Sequence, residues 1–318
     1  MKASRGLLIV CACILLGGWI GLWLSGWQAM DVSDSMVATR SPEQADSYFH
    51  AVVDSVSTSW SVAFPKGAIE DELVLYFTNP KEYQNYLKML AQAGLSPLGQ
   101  IDELMVVRIG KQAMVGPKPS TFGGESGFSY RVQRPLPPVD VAPELYAQLY
   151  AYGESARAII GNSFEGDGSG VLVGILDSGI TSHSQFGDVY IAHIDLAGGG
   201  VDGLGAEHGT AVASIIAGAE GIAPSAELLV VRVLDDQGLG NSFHVAAGIV
   251  QATDLGVDVL NMSLGVYQDT QLLREAIRYA HSKGVILVAA AGNDGYPQMP
   301  YPAAYPQVLS VTAVDAVG

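Results

Sequence analysis

Short apolar runs alternate with stretches of helical character in the second half of the chain. Five runs are apolar at nearly every position, at residues 171–176, 228–234, 257–260, 285–290 and 308–314. Three helices are predicted in the same half, over residues 208–219, 243–255 and 271–282. Strands that are apolar on both faces and separated by helices predict an α/β fold, a doubly wound parallel sheet with helices on both faces.

The chain begins with an apolar segment of a different kind. Residues 6–27 carry no charge and are long enough to span a bilayer as one helix. Lys2 and Arg5 precede this segment, which predicts that the N-terminus stays in the cytoplasm and the rest of the chain is periplasmic or extracellular. We expect an uncleaved transmembrane anchor within residues 1–30. A cleaved signal peptide, followed by secretion, is the alternative, although its apolar region is normally shorter.

A small β-α-β pattern is predicted within residues 31–110. An apolar run at 73–77 is followed by a helix that starts at Pro80, and a second apolar run covers 104–109. This unit is too small to be a catalytic domain, so the pattern favours an accessory region.

The next region, residues 111–142, is rich in glycine, proline and serine and is therefore predicted to be a linker. A helix is expected over 144–160, near the start of the last region, residues 143–318.

Composition narrows the range of functions. Acidic residues outnumber basic ones 32 to 16, for a formal charge of −16, so a nucleic-acid partner is not expected. Both cysteines, Cys11 and Cys13, lie in the first apolar segment, which leaves no disulfide or cysteine-ligated zinc after residue 13. Three aspartates lack the regular spacing of a calcium loop, so neither a metal nor a cofactor is expected: Asp188, Asp195 and Asp202.

Polar residues follow several of the predicted strands. Asp177 ends the first strand, Ser263 follows the third and Asn293 follows the fourth. The carboxyl ends of parallel strands meet at one edge of the sheet, where ligands bind. His208, at the start of the next helix, is the natural partner for a carboxylate at the edge of the core. Singly, Asp177 and His208 could each be a cap or turn residue, but together they predict a catalytic pair. The spacing around Asn293 by itself favours a turn asparagine, although small residues before it would leave room for an oxyanion hole.

Five sequence boxes in this half resemble the subtilisin-like serine proteases, the subtilase family or peptidase S8. They occur in the order of that family and cover about residues 171–317. The boxes are VGILDSGI at 173–180, HGTAVA at 208–213, GIAP at 221–224, NMSLG at 261–265, and AAGN at 290–293 with YPA at 301–303.

This resemblance implies a serine-type endopeptidase that hydrolyses polypeptide substrates by an Asp-His-Ser mechanism. Asp177 would orient the imidazole of His208, which would act as general base and then as general acid, and Asn293 would stabilise the oxyanion. The resemblance also implies two substrate-binding segments: Ser263, Leu264 and Gly265 beside an extended substrate, and Ala290, Ala291 and Gly292 in the pocket for the side chain before the cut.

The nucleophile-bearing Gly-Thr-Ser box of the family has no counterpart before Gly318. In subtilisin the step from the histidine to the serine is roughly 157 residues, which would place the serine near position ~365. The resemblance therefore implies a peptidase domain over residues 143–318 that is C-terminally incomplete and inactive alone. A catalytically dead pseudo-protease that binds peptides is the alternative. Residues 31–110 would correspond in position and size to the family's inhibitory pro-segment, or be a plain accessory domain.

Overall fold

The structure, a computed structural model, describes residues 60–114, 118–135, 166–200, 205–219, 221–293 and 295–312. The anchor predicted within residues 1–30, the helix expected over 144–160 and positions 313–314 of the last predicted strand lie outside these ranges. Among the helices that the structure does describe, none is both long enough and apolar enough to cross a membrane.

A four-stranded antiparallel sheet forms the N-terminal part of the described chain. Its strands have the order β2-β3-β1-β4. Its elements are β1 (Glu72–Phe77), α1 (Pro80–Gln92), β2 (Gly99–Ile101), β3 (Val106–Gly110) and β4 (Gly124–Gly127). The predicted strand, helix and strand are all present, but β1 and β3 run antiparallel and two further strands join them.

Helix α1 begins and packs for reasons visible in the sequence. The side chain of Asn79 accepts a hydrogen bond from the Lys81 N–H, and Pro80 occupies the first helical position. Tyr83, Tyr86 and Leu90 are buried against one face of the sheet.

Strand β1 is apolar beyond its first residue because both of its faces are covered. Leu73, Leu75 and Phe77 join the core that contains α1. Val74 and Tyr76 point the other way and join the larger core of the C-terminal domain. The N-terminal sheet is therefore packed between its own helix and that domain.

The segment predicted to be a linker, residues 111–142, contains strand β4. Strand β4 has the sequence Gly-Glu-Ser-Gly, which is typical of a loop. A Cβ atom at Gly124 would lie 2.8 Å from the ring of Phe77, and one at Gly127 would lie 2.8 Å from the ring of Tyr76. The glycines are thus needed for β4 to pair with β1 beside these aromatic rings, and composition alone does not reveal that.

The C-terminal domain is built on a six-stranded sheet with the order β12-β11-β10-β6-β8-β7, in which all neighbours are parallel. The sheet strands are β6 (Leu172–Asp177), β7 (Ile191–Asp195), β8 (Glu227–Arg232), β10 (Val259–Met262), β11 (Ile286–Ala290) and β12 (Val308–Val311). The helices are α2 (Glu207–Ile216), α3 (Ser242–Asp254) and α4 (Gln271–Ser282). The predicted parallel α/β sheet is confirmed. The edge strand β7 was not predicted, because its residues are only partly buried.

Helices cover both faces of this sheet. Leu176 of β6 packs in the core that includes Ile249 of α3 and Ile277 of α4. Ile175, the preceding residue, packs in the core that includes Ala213 of α2. The chain passes from β8 on one side of β6 to β10 on the other, so a crevice is expected where β6 and β10 end.

Replacement of Ile175 by alanine should lower the free energy of unfolding by about 2–5 kcal/mol, because the side chain is fully buried in the central strand. Leu309→Ala on strand β12 is the control: its side chain is 61% exposed, so the change should be under about 0.5 kcal/mol. Urea unfolding followed by circular dichroism measures both. Equal destabilisation by the two substitutions would contradict the described position of β6.

Candidate active site

Asp177 is held rigidly at the carboxyl end of the central strand. Its side chain is fully buried, and its Oδ1 accepts a hydrogen bond from the Ser178 N–H at 2.7 Å. Its main-chain oxygen accepts hydrogen bonds from the N–H groups of Val233 and Leu234, at 2.9 and 3.2 Å. The carboxylate therefore has one orientation, towards the start of α2.

His208, the second residue of α2, meets this carboxylate. Its Nδ1 lies 2.8 Å from Oδ1 and 3.0 Å from Oδ2 of Asp177. A carboxylate only accepts hydrogen bonds, so the contact places the ring proton on Nδ1 and leaves Nε2 as an acceptor. The His208 side chain is 25% exposed, so the imidazole can meet both the carboxylate and a molecule from solvent.

The residues after His208 allow this close approach. A Cβ atom at Gly209 would lie 2.0 Å from the main-chain oxygen of Gly179, so only glycine fits between α2 and the end of β6. Thr210 stabilises the same contact between α2 and the chain after β6. Its Oγ1 accepts a hydrogen bond from the Thr181 N–H at 2.9 Å and donates one to the Ala206 oxygen at 2.7 Å. The sequence His-Gly-Thr thus has a structural reason at each position.

A buried arginine stabilises the loops beside the pair. Arg232, opposite Asp177 in the β6–β8 register, is 1% exposed. It donates to the Gly200 oxygen and to the Asp236 carboxylate, both at 2.6 Å. Asp236 also accepts the Gly205 N–H at 3.4 Å, three residues before His208. The hydrogen bond from Arg232, followed by that from Gly205, lowers the pKa of the exposed Asp236 carboxyl.

The predicted substrate segment after β10 is paired with a strand of the same chain. Leu264 is buried, and the Ser263 Oγ accepts a hydrogen bond from the Asn261 side chain at 3.0 Å. The Gln133 N–H donates to the Gly265 oxygen at 3.1 Å, and the Gly265 N–H donates to the Gln133 oxygen at 2.9 Å. This is antiparallel pairing between Gly265 and an extended backbone.

Gln133 belongs to strand β5 (Arg131–Gln133), which pairs on its other side with β9 (Leu239–Asn241). Strand β5 therefore lies between β9 and Gly265, and fills the groove between them. Val132, its central residue, is fully buried in the domain core.

The second predicted segment comprises the last residue of β11 and the two residues after it. Ala290 and Gly292 line a cavity beside β5, together with Gln133, Gly265 and Pro300. Ala291 is held to the edge strand, since its N–H donates to the Val311 oxygen at 2.8 Å.

Asn293 comes three residues after the end of β11 and is exposed. It follows Gly292, whose φ of 90° turns the chain at this point.

Two parts of the site were not predicted from the sequence. Strand β5 contains an apolar Val132 between polar Arg131 and Gln133, which is the alternation of a strand with one buried face, and this signal could have found it. Strand β9, Leu-Gly-Asn, has no such pattern and is recognisable only through its pairing.

Asp177→Asn should change the tautomer of His208. Asparagine Oδ1 would keep the Ser178 N–H, which turns its NH₂ donor towards His208 Nδ1 and favours the proton on Nε2. Imidazole ¹⁵N chemical shifts measure this, and Asp188→Asn, at an exposed carboxyl, is the control that should leave them unchanged. Retention of the Nδ1–H form in Asp177→Asn would contradict the described contact.

The chain resembles known proteins over the domain that carries this geometry. Residues 168–317 match the Peptidase_S8 subtilase family model. A thermostable alkaline protease of Halalkalibacterium halodurans is 40% identical over 165 residues, which cover 48% of this chain and 43% of the relative. Subtilisin Savinase of Lederbergia lenta is 39% identical over 163 residues, which cover 46% and 57%. The chain spans about half the length of the curated relatives it matches.

A solved structure extends the likeness in fold. The crystal structure of fervidolysin from Fervidobacterium pennivorans, described as a keratinolytic enzyme related to subtilisin, matches with a TM-score of 0.61 at 24% identity. The match covers 78% of this chain and 44% of that one. The α/β domain thus has the subtilisin-like fold, and residues 168–317 match the subtilase family, peptidase S8, as a domain of this chain.

Proposed function

We propose that this protein is a serine-type endopeptidase of the subtilisin type, which hydrolyses polypeptides by an Asp-His-Ser mechanism. The observation that carries the proposal is the contact between the buried Asp177 carboxylate and His208 Nδ1, at the carboxyl end of the central strand. This contact leaves Nε2 able to accept a proton, as a general base requires.

In the proposed reaction, His208 Nε2 takes the proton of a serine hydroxyl while the serine oxygen attacks the substrate carbonyl carbon. Asp177 stabilises the resulting imidazolium, which then gives the proton to the leaving amine. The Asn293 amide donates to the oxyanion of the tetrahedral intermediate. Water then hydrolyses the acyl-enzyme. His208 takes a proton from the attacking water and gives it to the serine oxygen as that oxygen leaves. We expect the serine at a position beyond residue 318.

The substrate in this proposal is an extended polypeptide. Gly265 already pairs with an extended backbone, because it exchanges two hydrogen bonds with Gln133. Ser263 and Leu264 precede it in the same segment, and the second substrate-binding segment comprises Ala290, Ala291 and Gly292.

Residues 31–110 act as a pro-segment in this proposal. The N-terminal sheet packs on the peptidase domain through Val74 and Tyr76, and strand β5 from the region 111–142 occupies the groove beside Gly265. An incoming substrate would need the same backbone groups of Gly265, so this strand excludes it. The peptidase domain proper is assigned to residues 143–318.

We further propose that residues 1–30 anchor the protein in a membrane, with the peptidase domain outside the cytoplasm. The support is the uncharged segment 6–27 and the basic residues before it. Release by signal cleavage is the alternative.

A pseudo-protease that only binds peptides is the competing function. It would need the pairing at Gly265 but would not need a histidine oriented by a buried carboxylate. The retained contact of Asp177 with His208 therefore favours the enzyme.

Labelling with a fluorophosphonate probe tests the proposed function. The 318-residue chain should not react, because the probe needs an activated serine. A chain extended with the corresponding C-terminal segment of subtilisin Savinase, which restores the Gly-Thr-Ser box, should be labelled.

His208→Ala in the extended chain is the matched control and should slow labelling by at least about 10³-fold, since the general base is lost. Labelling of the 318-residue chain would overturn the assigned roles. A folded, unreactive extended chain that still binds peptides would favour the pseudo-protease.

Gln133→Pro should loosen strand β5 in the groove. Proline removes the N–H that donates to the Gly265 oxygen, and its ring crowds the pairing, at a cost of about 1–3 kcal/mol. Deuterium exchange of the Gly265 amide should become roughly tenfold faster or more. Gln133→Ala keeps the N–H and should change the rate little, whereas equal effects of both variants would contradict the pairing.

A further inference from the structure

The N-terminal sheet and the peptidase domain meet at a histidine outside the candidate active site. His244 is the third residue of α3, and its Nε2 lies 3.2 Å from Nη2 of Arg108 on strand β3. The guanidinium also lies 4.9 Å from the centre of the Phe243 ring and donates to the Leu98 oxygen at 3.3 Å. Arg108 is 8% exposed, so this contact is buried between the two parts.

Donors face both nitrogens of this imidazole. Asn241 Nδ2 lies 3.2 Å from Nδ1, and the Arg108 guanidinium faces Nε2. A neutral imidazole can accept at one nitrogen, whereas imidazolium carries a proton on both and could accept from neither. A protonated His244 would also lie beside a fixed positive charge and at the positive end of the α3 dipole.

The other charges near His244 do not reverse this preference. Asp195, at the end of β7, favours the protonated ring, but burial and then Arg108 outweigh it and lower the pKa of His244 to about 4. Glu72 of β1 lies behind Arg108, with its carboxylate 3.8 Å from Nη1. His244 is therefore neutral while the N-terminal sheet is docked.

The contact is coupled to the groove through one residue. Asn241 caps α3, because its Oδ1 accepts the His244 N–H at 2.8 Å, and its Nδ2 faces the imidazole. Asn241 is also the last residue of β9 and pairs with Arg131 of strand β5. A change at His244 would therefore reach β9, the strand that pairs with β5 in the groove.

We propose that the contact of Arg108 with His244 is an acid-sensitive latch, which holds the N-terminal sheet and strand β5 on the peptidase domain and loosens when His244 is protonated. This inference rests on the proposed function, because it assigns a regulator to the substrate groove. Acidification would raise the fraction of molecules in which the groove is open.

The direction of the pH effect follows from proton linkage. His244 binds its proton more weakly in the docked form than in the released form, so docking is favoured at high pH. Docking weakens as the pH falls below about 6.5 and levels off below about 4. The equilibrium constant for docking should be up to about 30-fold smaller at pH 5 than at pH 8.

Deuterium exchange of the Gly265 amide in the full 318-residue chain tests the latch, with rates corrected for the intrinsic pH dependence of exchange. The opening constant should rise by up to about 30-fold between pH 8 and pH 5. In His244→Gln it should change less than about threefold, because glutamine can accept from Arg108 but does not titrate. His281→Gln, at the far end of α4, is the control and should retain the wild-type pH dependence.

The same opening constant at pH 8 and pH 5 in the wild type, or an equally steep change in His244→Gln, would overturn the latch. If His244→Gln fails to fold, NMR titration of the wild type decides: the His244 ring should stay neutral at pH 5 in the docked form, and a midpoint near 6.5 would refute the proposal. These measurements need no catalysis. An extended chain that is not labelled by fluorophosphonate would therefore refute the peptidase function and leave the latch standing.

Discussion

The site depends on one hydrogen bond, between a buried carboxylate at the end of the central strand and the imidazole at the start of the next helix. Asp177 and His208 can meet because Gly209 lets α2 approach the main chain of Gly179. The contact fixes the imidazole tautomer, and with it the direction in which a proton can move. The roles proposed for the groove and for Asn293 matter only if this pair can act as a base.

The groove presents a second constraint. Two backbone edges, at Gly265 and at β9, face each other and would leave unpaired N–H and C=O groups if nothing lay between them. Strand β5 satisfies both edges, and Val132 adds a fully buried side chain. Any polypeptide that replaces β5 must offer the same backbone pairing. In the proposed function, inhibition by this strand and substrate binding would therefore have a common physical basis.

The sequence predicted the parts whose signals are local. The apolar runs predicted the parallel sheet. Asp177 ends a predicted strand and His208 begins a predicted helix, so both could be placed at one edge of that sheet. Strand β4 falls in the region predicted to be a linker, because its glycines are typical of a loop. Those glycines are required by the rings of Phe77 and Tyr76, which lie far away in the sequence, so no local pattern reveals the strand. The contact of Arg108 with His244 joins residues 136 positions apart and has no local pattern at all.

The most direct measurement of the central claim is a double-mutant cycle on peptide hydrolysis by the extended chain, in a Gln133→Pro background that loosens β5 in the groove. The cycle compares Asp177→Asn, His208→Ala and both changes together. If Asp177 acts through His208, the double variant should have the same kcat/KM as His208→Ala alone. Losses that simply multiply would mean that the two residues act independently, and would contradict the account.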